Sequence, residues 1–211
     1  MMRHTRRFVC WSSAVLLLAV GGCAEWLESL NNQDDPLWMG CGQLCLHDRY
    51  CRAHPLECGE QPENNLDLMR MAEGIVWADY PDAMLIEVHG VPSSGAANTA
   101  DDVDQWGFIF AEDPQSPTTG TVTLEFRDGE FTDPVLMSQP WAGTVYERLP
   151  QTLTLADAVA VVRDAGYAAP FAEVVIRKPL TWPMPDEAFY ALLIEGQYVL
   201  VGAESGALIE D

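Results

Sequence analysis

The feature that most constrains this fold is the stretch 154–211, a complete set of local signals for one capped helix followed by three short strands. Thr154-Leu-Ala-Asp157 places a hydroxyl and a carboxylate three residues apart, the pattern that satisfies free N–H groups in a first helical turn. Leu155, Ala158, Val159 and Val162 then recur on one helical face, and Gly166 falls where a left-handed cap would close the helix. Residues 171–177, 188–195 and 197–201 read as strands, the last two joined at Glu195-Gly196, a tight hairpin signal.

The same grammar occurs earlier. Residues 65–79 predict an Asn-capped helix whose apolar face is Leu68, Met71, Ala72, Ile75 and Val76, followed by strands over 83–89, 105–111 and 121–127. The aromatic run Trp106-Gly-Phe-Ile-Phe110 matches Phe189-Tyr-Ala-Leu-Leu193, and Asp128-Gly129 ends the third strand as Glu204-Ser205-Gly206 does later. Trp106, Phe189 and Tyr190 are expected as core or rim aromatics rather than ligand contacts. The fold class is thus α+β: two helix-plus-three-strand units with antiparallel sheets, at 65–132 and 152–211. A Pro-containing linker over 133–151 separates them. Whether the units share one sheet is open from sequence.

Tyr190 to Leu193, and Val199-Leu-Val-Gly-Ala-Glu-Ser-Gly206-Ala-Leu208, resemble the PepSY family of small secreted α+β modules, found in metalloprotease propeptides and bacterial envelope proteins. Gly202 stands where that family usually carries Asp. The resemblance covers the last third of the chain well and 65–131 loosely. It implies an inhibitory or peptide-binding module, with a protease as the natural target, and no catalysis.

Residues 1–22 carry Arg3, Arg6 and Arg7, an apolar run over 8–20 and small residues before Cys23, the layout of a secretory signal. The apolar run falls short of the ~20 residues a spanning helix needs. Val20-Gly-Gly-Cys23 resembles the bacterial lipobox, which implies that the Cys23 thiol carries diacylglycerol and anchors the chain to a membrane. Each buried methylene of such a lipid contributes about 0.8 kcal/mol. Ala24 rather than Asp after the cysteine resembles lipoproteins sent to an outer membrane, facing the periplasm or the cell surface. Simple secretion is the alternative.

The chain has a formal charge of −21. Loss of the three arginines and no acid with a signal of 22 residues would take −21 to −24. Such a surface repels nucleic acid and anionic headgroups and favours basic proteins or peptides, though acidic residues also serve solubility alone.

Residues 23–40 read as a lipidated tether. Residues 41–60 form a Cys-rich segment in which Cys41, Cys45, Cys51 and Cys58 are disulfide candidates after export, with three possible connectivities. Zinc is the rival reading because His47 and His54 lie among them, but the spacing fits no finger pattern and no metal is expected.

Elsewhere, Asp101-Asp102-Val103-Asp104 lacks the later Gly and Glu of a calcium loop and reads as a solvated acidic turn. His89, with Ser93 and Ser94 in the following loop, is the only place a hydrolase reading can start. Val-Pro-Ser-Ser-Gly is not a nucleophile elbow, and no catalytic residue is assigned. No cofactor motif is present. The most distinctive loop runs from Arg177-Lys178 through Trp182 and Met184 between prolines, and these four residues are the candidate partner contacts. The leading expectation is a lipid-anchored envelope protein that binds a protein or peptide. The alternative is an assembly lipoprotein, and a hydrolase ranks last.

Overall fold

The computed structural model describes residues 58–116, 119–142, 147–150, 152–179 and 186–209, together with Cys51, Pro55, Leu56 and Val145. The chain divides into two compact units, Met1–His54 and Pro55–Asp211. The second contains helices α1 (Asn65–Asp79) and α2 (Leu155–Asp164) and a 3-10 turn at Ala100–Asp102. Its strands are β1 (Met84–Val91), β2 (Gln105–Ala111), β3 (Thr121–Arg127), β4 (Glu130–Phe131), β5 (Val135–Met137), β6 (Phe171–Arg177), β7 (Phe189–Ile194), β8 (Gln197–Gly202) and β9 (Leu208–Ile209).

Local chemistry sets the helix ends. Asn64 accepts hydrogen bonds from the Leu66 and Asp67 amides at the start of α1, and Thr154 with Asp157 forms a capping box at α2. Gly166, with φ of 97°, follows α2 in the left-handed region that a β-carbon would strain. At the β7–β8 hairpin both Glu195 (φ 50°) and Gly196 (φ 82°) are left-handed, the geometry whose twist matches the paired strands.

The strands form a single antiparallel sheet in the order β4-β3-β2-β1-β6-β7-β8-β9, with β5 also paired to β3. The two helix-plus-three-strand segments meet where β1 runs antiparallel to β6, with Glu87 opposite Arg177 and Gly90 opposite Val174. Both helices lie on one face, over a continuous core that includes Met69, Ala72, Phe108, Leu124, Leu155, Val162, Ile176 and Leu192. Each of these side chains other than Ala72 contributes roughly 1.5–3 kcal/mol by leaving water. The other face carries a smaller apolar cluster, Ile86, Ile109 and Ala111 with Met84 and Trp141, and the separately buried Val175 and Phe189. Ile86 reaches it because a bulge between Leu85 and Glu87 shifts the register of β1.

Asn65 connects the two halves. Its buried side chain accepts from the Leu155 amide (2.7 Å) and donates to the Tyr190 hydroxyl (2.9 Å), which in turn donates to the Leu153 carbonyl (2.5 Å).

Two sequence expectations need correction. The stretch 133–151 is not merely a linker: Val135–Met137 adds β5 to the sheet, and Leu149 is buried in the main core. The match of Trp106 to Phe189 is one residue out of phase. Trp106, Phe108 and Phe110 face the helices together with Tyr190, Leu192 and Ile194, whereas Phe189 pairs with Arg177 and points to the opposite face. All three aromatics are nonetheless buried. Among the cysteines, a disulfide joins Cys51 and Cys58, while Cys41 and Cys45 lie outside the described residues.

Candidate functional site

Side chains alternate across a strand, and residues directly opposite in an antiparallel pair share a face. Because Val88 points into the helix-covered core, Glu87 and His89 point the other way. The register lays a row across this open face: Glu125 on β3, Gly107 on β2, His89 on β1, Val175 on β6, Ala191 on β7 and Leu200 on β8. The neighbouring row holds Thr123, Ile109, Glu87, Arg177, Phe189 and Gly202.

Glu87 is 2% exposed, an unusual burial for a carboxylate. Its Oε1 lies 2.5 Å from His89 Nε2. Its Oε2 has no hydrogen-bond partner and sits 3.8 Å from Arg177 Nη1, so the pairing strand supplies charge without a direct bond. The other ring nitrogen, His89 Nδ1, lies 3.5 Å from Glu173 Oε1, and the Tyr198 hydroxyl donates to Glu173 Oε2 at 3.2 Å. A polar chain, Arg177–Glu87–His89–Glu173–Tyr198, therefore crosses β1, β6 and β8. The hydrogen bond to Glu87 raises the His89 pKa above its ordinary value. Burial works against this, and the charges of both carboxylates add to it. With a carboxylate at each nitrogen, the doubly protonated ring is the form this site fits.

The pH consequence has a definite sign. A raised folded pKa gives stability that is complete below the unfolded value near 6.5 and is lost as pH rises through the folded value. Thermal melts of the purified chain should therefore show Tm falling by a few degrees as pH rises from about 6 through the His89 titration. His89→Gln should remove that slope. An equal slope in His89→Gln would assign it to other groups.

The sequence-expected contact residues fall partly at this site. Arg177 is part of it, with its side chain 44% exposed. Lys178 is held at 2.5 Å from Glu147 and 2.6 Å from Asp186. Trp182 and Met184 lie outside the described residues, as does Cys23. Sequence reading singled out His89 but missed Glu87, Glu173 and Tyr198. Only strand pairing gathers them, and an acidic chain makes any one carboxylate inconspicuous.

The acidic turn is spent on loop architecture. Asp102 accepts from the amides of Asn98 (2.8 Å) and Thr99 (2.9 Å), and Asp104 accepts from the Ser93 amide (2.7 Å) and hydroxyl (2.5 Å). These bonds hold both carboxyls below the usual range, those of Asp102 coming from Thr99 and Asn98 and those of Asp104 from Ser93. No group of three metal-ligating side chains occurs among the described residues, nor does any helix there have the length and apolarity to cross a membrane.

Fold and site together define an α+β domain whose antiparallel sheet is helix-covered on one side and carries a half-exposed polar network on the other. No family model and no curated protein sequence matches the chain. Among solved structures, the chain is similar to a "putative lipoprotein" from Clostridium difficile 630, with TM-score 0.46 and 13% identity over 71% of this chain and 97% of that one.

Proposed function

We propose that this chain is a lipid-anchored protein of the bacterial envelope that binds a protein or peptide through its open sheet face, without catalysis. The observation that carries the reading is a partly exposed polar and aromatic surface on the face away from the helices, beside a buried part of the same face at Ile86, Glu87, Ile109 and Phe189. The face away from the helices leaves Tyr198 (53%) and Val91 (38%) exposed and His89 half-buried. Exposed aromatic and apolar groups around fixed polar ones suit a contact surface.

Val20-Gly-Gly-Cys23 supports the anchor, and Ala24 supports delivery to an outer membrane. The PepSY resemblance supports an inhibitory or peptide-binding role with a protease as target. Its missing Asp has a local counterpart. The Glu187 carboxylate accepts from the Glu204 and Ser205 amides (3.1 and 3.0 Å) and the Ser205 hydroxyl (2.8 Å). A β-carbon at Gly202 would stand 2.6 Å from Glu187 Oε1, so glycine there leaves room for a carboxylate from the segment leading into β7.

A hydrolytic role would need a nucleophile facing His89. Both ring nitrogens instead face carboxylates, while the Ser93 hydroxyl donates to Asp104 and that of Ser94 to the Ala96 carbonyl at 2.9 Å. An assembly role draws support from β5, where Val135 (56%), Leu136 (44%) and Met137 (38%) lie exposed on a strand at the sheet margin.

Crosslinking pull-down from intact cells, with the native chain and Cys23→Ser as baits, is the test. One specific protein, enriched with both baits and lost when Tyr198→Asp alters the open face, is the expected result. Enrichment of envelope machinery with the anchored bait alone would favour assembly. Capture of nothing specific would overturn the binding reading.

A further inference from the structure

The open face has a gap in it. A β-carbon added to Gly107 would meet no atom within 4 Å, although Gly107 lies in the middle of β2 with His89 directly opposite on one side and Glu125 on the other. Two side-chain-bearing neighbours with none between them leave a short trough over Gly107, closed along β2 by Gln105 at one end and the buried Ile109 at the other. Its walls are carboxylate-rich. Glu125 has a 45% exposed side chain, and beyond His89 stands Glu173, 28% exposed. At one end, Val91 pairs with Gln105 and is 38% exposed, offering an apolar wall to an aliphatic stem. The chain itself demonstrates what Glu125 accepts, because Arg127 Nη2 donates to its Oε1 at 3.0 Å.

We propose that this trough over Gly107 receives one basic side chain, arginine or lysine, of a bound peptide, and that the proton on His89 governs how tightly it is held. The proposal rests on the reading that the open face binds a peptide, and it names the chemistry of that partner. With His89 protonated, Glu87 and Glu173 are both matched by a cation lying between them. When the proton leaves, the face gains one net negative charge beside the trough, and an incoming cation is the group that can neutralise it. Among the described residues, the charged and titratable groups facing His89 are Glu87 on its own strand, Glu173 and Arg177 on β6, Tyr198 on β8 through Glu173, and Glu125 with Arg127 across Gly107. β2 contributes none. The helices lie on the other face. The Glu87 hydrogen bond raises the His89 pKa above its ordinary value, so the grip tightens as pH rises through that titration while the fold loosens slightly.

The test is a titration of the full chain, followed by amide chemical shifts, with a capped pentapeptide carrying one central arginine and with its uncharged citrulline counterpart. The expected result is a maximum of shift changes at Gly107, His89 and Glu125 for the arginine peptide only, with affinity about fivefold tighter at pH 8.5 than at pH 5.5, the effect of one added charge at contact distance in water. Gly107→Leu fills open space on an ordinary strand backbone, so the fold stands while binding is lost. His89→Gln binds at both pH values without the fivefold change. Shifts spread evenly over the acidic surface, equal binding of the citrulline peptide, or unaltered binding by Gly107→Leu would overturn the proposal. Pull-down with Gly107→Leu as bait separates the two readings. A partner retained by that bait sinks the trough and leaves face binding standing, whereas a partner lost with it supports both.

Discussion

Asn65→Ala is expected to destabilise the chain by about 3 kcal/mol, since two buried groups lose their partner at once. In a domain of this size that is a fall of roughly 8 °C in Tm. The Asn65 carboxamide is 5% exposed and bridges three parts of the fold: α1, the first amide of α2 at Leu155, and Tyr190 on β7. Alanine leaves the Leu155 amide without its acceptor and the Tyr190 hydroxyl without its donor. Burial already pushes the Tyr190 pKa up to about 12, against a smaller opposing effect from Asn65, so the hydroxyl stays protonated and continues to donate to Leu153. Asn65→Asp serves as the informative comparison. It keeps an acceptor for Leu155 but places a carboxylate on the Tyr190 oxygen. A double-mutant cycle of Asn65→Ala with Tyr190→Phe, read by urea denaturation, should give a coupling of about 1 kcal/mol. Additive losses would mean the two residues act separately, and a loss below about 1 kcal/mol for Asn65→Ala would mean that water replaces the carboxamide.

That joint also marks the limit of what the chain discloses in one dimension. Elements written by neighbouring residues are legible: the Thr154–Asp157 capping box, the Gly166 terminus and the Glu195-Gly196 turn all follow from three- or four-residue chemistry. The bounds of β2, β3 and β6 follow from apolar alternation between turn residues. The pairing of β1 with β6 does not, because it joins residues far apart in sequence and leaves no local trace beyond two ordinary strands. With that pairing went the site. Glu87 and Arg177 are a cross-strand pair, and His89 reaches Glu173 only because β6 lies beside β1. β5 was hidden for another reason. Three residues preceded by Pro134 and followed by Pro140 have a linker's composition, and only the open margin of β3 makes them a strand. The slip between Trp106 and Phe189 came from aligning aromatics rather than faces. In a strand, a shift of one residue exchanges inside for outside.

Gly90→Val tests the same central pairing from within, and it is expected to destabilise by about 3 kcal/mol or more through overpacking. Gly90 pairs with Trp106 on β2 and with Val174 on β6, on the helix-covered face. Both neighbours lean over it. A β-carbon there would lie 2.8 Å from the Trp106 ring, 2.8 Å from Val174 Cγ1 and 2.9 Å from Val103 Cγ1, so all three must move. Trp106 has little freedom to do so, since its indole nitrogen donates to the Val103 carbonyl at 3.1 Å. Gly90→Ala should cost less, about 2 kcal/mol, and pairing it with Val174→Ala should recover part of the loss by giving the methyl space. Gly107→Ala is the internal control. One strand away but on the open face, it meets no atom, and its effect on urea denaturation should stay within about 0.5 kcal/mol. Equal losses at the two glycines would mean that strand flexibility, not packing, fixes them. A large loss at Gly90 alone would establish that the junction of β1 and β6 is closed by side chains from both of its flanking strands, where the two halves of the sequence become one core.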